Sequence, residues 1–358
     1  MATAVATERL QTVYSGEPTR PSDLDWLIPF ALIVALEMFF ARTVELSVAY
    51  GLLAMTGAAI VAIGWLLLWM VRSARQHLEH PIAALATILW ANRSRLWCSI
   101  SGIGVAALGI SAFTVLKVQM TLAVPFYADK ALADIDVWLF GMDAWRWSAG
   151  YLGFLLYPIS VIYAAWLMTQ FTVFTILVVS KTSSMKSQAI IAYGLMWLFL
   201  GIFAAYACSS AGPIFYDRLY GGQRFAELDQ FLRSTFAKGA ADYLWTRHTT
   251  GDISLGGGIS AMPSLHLAGT VWLALIIRRA WPKLAFIGWS YLAVIYLGSI
   301  MLGWHYATDG IVGVLGMLVI WKFAGKIVHW RQWISSIRSR NNLGSEPTLV
   351  AAQTSPCE

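Results

Sequence analysis

The sequence predicts an all-α protein, a polytopic bundle of about eight membrane-spanning helices, on three observations. Charged side chains are scarce, apolar runs of spanning length recur, and the connections between those runs alternate in charge. Only 12% of the 358 residues are charged against 58% hydrophobic, whereas a soluble domain carries about 25% charge. That leaves too little charge to cover a water-facing surface, and the mean hydropathy of +0.63 agrees.

A span needs about 20 apolar residues to cross the hydrocarbon core. In chain order the runs are Trp26–Ala41, Val48–Val71, Leu96–Leu116, Tyr151–Val179, Gln188–Cys208, Pro263–Ile277, Leu284–Leu302 and Thr308–Val328. The first is short. The sixth opens on a proline, which suits the first turn of a helix. Residues 1–23 are polar and mixed in charge with no short apolar run, so a cytoplasmic tail without a cleavable leader is expected. Residues from Arg331 onward are polar and aperiodic, so a disordered tail over 331–358 is expected. Cys98, Cys208 and Cys357 have no disulfide or metal spacing.

Orientation follows from the connections. Residues 72–95, Lys181 with Lys186, Arg278 with Arg279 and Lys283, and Lys322 through Arg340 carry +13 in all. The alternate set, 42–47, 117–147, 209–262 and 303–309, carries −2. The positive-inside rule then puts both termini in the cytoplasm and the segments 117–147 and 209–262 outside. The pI of 9.2 is thereby explained by membrane topology, and no nucleic-acid partner is expected.

Two motifs fall where outside segments enter helices: GGGISAMPSLHLAG, Gly256 to Gly269, and LGWHYATDGIVG, Leu302 to Gly313. A helix start offers unpaired N–H groups and partial positive charge, which suits an anion. Ser264 adds a hydroxyl, and Gly256, Gly257 and Gly258 allow close backbone approach. His305 and Asp309, four apart, share one face of a helix. An aspartate on one imidazole nitrogen fixes the tautomer and makes the other a better nucleophile, so His305 suits attack on phosphorus. His266 then supplies the acid for the departing alkoxide. Either histidine alone reads as an interfacial hydrogen-bonder; the joint pattern carries the chemistry.

The MPSLH and HYxxDxxxG motifs resemble those of the type-2 phosphatidic acid phosphatase superfamily. SSAGPIFYDRL (Ser209–Leu219) and the stretch from Lys117 through PFYADKALADIDVWLFGMDAW are similar to the branch of inositol phosphorylceramide synthases and their bacterial relatives. The resemblance covers most of residues 113–325 and implies a six-helix phosphatase-like core. Residues 96–330 would form that catalytic domain, with 24–95 adding two accessory spans and a cytoplasmic loop. It implies a phosphohistidine on His305, orientation by Asp309, acid/base work by His266 and phosphate binding by Ser264. No metal or cofactor is implied. The substrate would be a phosphorylated lipid, the second acceptor water or an alcohol such as inositol, and the host a cell inner membrane. The alternative is a lipid-phosphate carrier or binding protein without catalysis.

Three departures from the family pattern bear on that choice. Leu265 stands where Ser-Gly-His is usual, Ser299 where an arginine precedes the nucleophile, and Gly212-Pro213 where the first motif carries cations. Phosphoryl transition states need cations. The replacements on the outside segments are Lys117, Arg218, Arg224 and Arg247, with Lys117 and Arg218 preferred; Gly258 joins the substrate-binding set. Asp129, Asp134, Asp136 and Asp143 read as caps and solvated surface rather than a metal site. Glu37 pairs with Arg42 or reaches the interface.

Overall fold

The computed structural model describes residues 27–41, 48–253 and 256–343, with no strand among them. The helices are α1 (Ile28–Ala41), α2 (Val48–Arg75), α3 (Pro81–Ala91), α4 (Arg93–Ala123), α5 (Asp129–Phe140), α6 (Ala144–Leu152), α7 (Leu156–Ala164) and α8 (Trp166–Val179). There follow α9 (Ser184–Leu195), α10 (Pro213–Tyr220), α11 (Ala226–Leu232), α12 (Phe236–Thr250), α13 (Leu265–Ala280), α14 (Ala285–Met301) and α15 (Ala307–Leu343). Among the described residues six stretches are long and apolar enough to cross a membrane: Ala49–Arg75, Arg93–Thr121, Ala144–Ala164, Ser184–Ala207, Pro282–Met301 and Ala307–Ile337. The chain is a multi-pass membrane protein.

The helices depart from the sequence reading in four places. The expected span Tyr151–Val179 is broken: Gly153–Leu155 forms a 3-10 turn between α6 and α7, and Ala165 interrupts α7 and α8. Glycine weakens a helix interior, and the apolar stretch gains length at its start, from Ala144. The connection 72–95 contains a short apolar helix, α3, opened by Pro81 at its first position. Pro263 does not open the sixth helix; Ser264 is the N-cap of α13, and Pro263 lies outside it. Finally α15 runs past Arg331 to Leu343, because the first glycine or proline after Gly325 is Gly344. The tail 1–23, Arg42 and residues 344–358 lie outside the described residues; Glu37 is buried in α1.

The core centres on α13. Leu267, Ala268, Val271, Trp272 and Ala274 have no exposed surface, and the helix packs against α8, α9, α14 and α15. Trp272 Nε1 donates to Ala189 O of α9 at 2.7 Å. The accessory helices are seated on the same bundle. Gly109 admits Phe30 and Gly194 admits Pro29, where an added Cβ would stand 2.9 and 2.7 Å from those side chains.

The segments 117–147 and 209–262 pack on each other at one end of the bundle. Arg224 bonds Asp143 at 2.9 Å and Asp134 at 3.0 Å, Tyr220 donates to Phe126 O, and Arg146 pairs with Glu227. This double layer brackets both histidine motifs.

Candidate active site

The two motifs are joined through backbone. Ser264 caps α13 by accepting the Leu267 N–H at 3.4 Å, and its own N–H donates to Asp309 O at 3.1 Å. Gly313 makes this contact possible, since a Cβ there would lie 2.4 Å from Ser264 O. A side chain at Gly313 would force the Ser264 backbone away from α15. Ser264 is fully buried and does not line the adjoining cavity.

His266 occupies the first turn of α13, its ring stacked on Tyr163 at 4.5 Å and against Trp166 at 4.4 Å between centroids. His305 precedes α15 rather than sharing a helical face with Asp309, because the helix begins at Ala307. Asp309 instead reaches back. Its Oδ2 accepts the Tyr306 N–H at 2.9 Å, the reciprocal half of a capping box, and lies 3.5 Å from His305 Nδ1. That separation is at the limit of a hydrogen bond, and Nδ1 makes no hydrogen bond among the described residues. The imidazoles of His266 and His305 face each other with centroids 5.7 Å apart and planes at 64°.

Both rings line a cavity of about 570 Å³, within the usual range for a small-molecule site. Its walls are mainly apolar and aromatic, including Phe113, Trp197, Phe215 and Trp304, with Gly256, Gly257 and Gly258 along one side. Lys117 is the only lysine or arginine in the lining, and no carboxylate lines it among the described residues. Gly258 packs on Lys117, where a Cβ would meet the lysine side chain at 2.8 Å. The structure thus brings together His305, His266, Asp309, Lys117 and Gly258. It does not bring in the other arginines: Arg218 pairs with Asp242, Arg247 with Asp252 at 2.8 Å, and Arg224 with Asp134 and Asp143. Ser299 is buried, its Oγ donating to Tyr296 O at 2.7 Å and its carbonyl accepting the His305 N–H at 3.1 Å.

The sequence reading treated Asp129 and Asp136 as solvated caps, whereas they are buried supports of the histidine loop. Seven apart on α5, they share a face. Asp129 accepts the N–H groups of Ala211 and Gly212 at 2.9 and 2.8 Å and the Tyr306 hydroxyl at 3.1 Å. Asp136 accepts the Ala307 N–H at 3.1 Å. Burial raises the Asp129 carboxyl despite these donors, and burial together with Asp129 raises Tyr306. Burial also pushes Asp136 up to about 7, against the Ala307 N–H and Arg224, which favour the anion, and with Asp309 and Asp143, which oppose it.

The sign of that shift sets a pH dependence. Between the ordinary aspartate range and pH 7 the folded protein keeps a proton on Asp136 that the unfolded chain has lost. Stability from this group therefore falls as pH rises through that window. Asp136→Asn retains an acceptor for Ala307 and removes the titration. Its melting midpoint in detergent should fall less than that of the wild type between pH 5 and pH 8; equal falls would show that Asp136 does not titrate there.

A family model described as the PAP2 superfamily matches residues 131–323, just over half of the chain. No curated protein and no solved structure matches. The matched stretch holds both histidine motifs and leaves Lys117 and the accessory helices outside it.

Proposed function

This chain belongs to the PAP2 superfamily, and from that membership, which supports a phosphatase-type activity, we propose an integral-membrane lipid-phosphate phosphatase or phosphotransferase working through a phosphohistidine on His305. The observation that carries the reading is the pair of imidazoles, from separate motifs, set edge to face in the wall of one largely apolar cavity whose only lining lysine or arginine among the described residues is Lys117. Such a cavity suits an anionic head on a hydrocarbon body.

In this scheme Nδ1 of His305 faces Asp309, leaving Nε2 as the attacking nitrogen. Its lone pair forms the N–P bond as the P–O bond to the lipid alcohol breaks, and His266 gives a proton to the departing oxygen. Water or an alcohol then attacks phosphorus, His266 takes its proton, and the N–P bond breaks. Asp309 stabilises the imidazolium formed on the way. Lys117 and the N–H groups lining the cavity offset charge on the equatorial oxygens. The charge asymmetry of the connections supports an extracytoplasmic site with both termini cytoplasmic. The likeness to inositol phosphorylceramide synthases supports an alcohol acceptor such as inositol.

A product assay on a panel of lipid phosphates, with and without inositol, tests the reading. Phosphate release marks a phosphatase and a new phosphodiester a transferase; neither product from any lipid would sink it. Lys117→Met should lower kcat/KM by about 100-fold or more, the usual effect of removing one oxyanion donor. Arg218→Ala and Arg247→Ala remove exposed ion pairs and should change it by less than about 3-fold. The reverse ranking would move the phosphate site to the arginines.

One observation favours a binding protein without catalysis: Ser299 fills the arginine position, and among the described residues Lys117 is the one lysine or arginine lining the cavity. That reading predicts lipid-phosphate binding without turnover, and a trapped phosphohistidine excludes it.

A further inference from the structure

The accessory helix α2 reaches the cavity through one residue. Tyr50 is buried and lines it, though Tyr50 lies far outside the stretch that matches the family. Its phenolic oxygen accepts the Gly256 N–H at 3.0 Å, across 206 positions of sequence. It also lies 2.6 Å from Thr114 Oγ1 on α4. The Thr114 hydroxyl has one proton and a second acceptor in range, Ile110 O at 3.1 Å. With the Thr114 proton on that carbonyl, the phenol donates to Thr114 while accepting from Gly256, so each hydrogen is used once.

This three-way junction stands beside the cation. Thr114 is three residues, about one helical turn, before Lys117. The glycine run pinned by Tyr50 continues to Gly258, which rests on the Lys117 backbone and side chain. Gly256 and Gly258 both have positive φ, +69° and +78°, a conformation with little preference of its own that needs an external hold. No bond other than that to Tyr50 ties the Gly256 N–H among the described residues.

We infer that Tyr50 is a positioning residue: it clasps the Gly256–Gly258 run against α4 so that Lys117 and the glycine N–H groups form one wall of the phosphate-binding cavity. The accessory helix α2 is then part of the binding unit and not only a membrane anchor. The consequence for catalysis rests on the lipid-phosphate reading above; the clasp itself does not.

The test uses the full-length protein in detergent. Tyr50→Phe keeps the ring and removes the oxygen. Amide exchange in residues 256–258 should accelerate by about 10-fold, the effect of one lost hydrogen bond. KM for a lipid phosphate should rise by a similar factor, with kcat falling less than about 3-fold. Thr114→Val should show part of the same change, and the double variant should be no worse than Tyr50→Phe, since both act through one junction. Wild-type exchange and KM in Tyr50→Phe would overturn the inference. So would fully additive losses in the double variant, or a fall in kcat with KM unchanged. If the wild type turns over no lipid phosphate, the functional reading fails separately. The clasp is then decided by exchange alone, and an unaltered rate in Tyr50→Phe refutes it.

Discussion

Replacing His305 with alanine should remove turnover, lowering kcat by about 1,000-fold or more, while the protein still extracts and melts like the wild type. The size follows from the role: a nucleophile deleted from a covalent mechanism leaves only binding and charge stabilisation behind. His305 is buried beside Asp309, with its backbone held by Ser299, so the truncated side chain leaves the loop tied by its main chain. Incubation with a phosphorus-labelled substrate, followed by quenching in base, should trap label on the wild type and none on His305→Ala. Label retained by the variant would assign the nucleophile elsewhere.

The second large effect is on His266, and its diagnostic is the leaving group. Removing a general acid costs about 100- to 10,000-fold when the departing alkoxide is poor. In the phosphorylation half-reaction, read as the burst rate, His266→Ala should show that loss on a lipid phosphate and a much smaller one on an aryl phosphate, whose leaving group needs no proton. With the aryl substrate the phosphohistidine should accumulate as a burst, since the second half-reaction still needs His266 as base. Equal losses on both substrates would make His266 a packing residue of the Tyr163–Trp166 stack.

The sequence displays the span pattern and both histidine motifs because each is local. Apolar length reveals a membrane helix, and a helix start reveals an anion site within one turn. What surrounds the histidines is assembled from distant segments, which periodicity does not report. Tyr50 meets Gly256 across 206 positions and Asp129 meets Tyr306 across 177. The seven-residue spacing of Asp129 and Asp136 was a usable signal, since it marks one helix face. Arg218 and Arg247 misled because cationic character is visible in a sequence and local neutralisation is not: Asp242 and Asp252 hold them. Lys117 differs in having no carboxylate beside it in the cavity wall among the described residues.

The Ser264–Asp309 bond and the fit of Gly313 under Ser264 make the two histidine-bearing strands of the chain a single jaw. Prising that jaw open would strand a buried amide at about 1–3 kcal/mol and part the proposed nucleophile from the proposed proton donor.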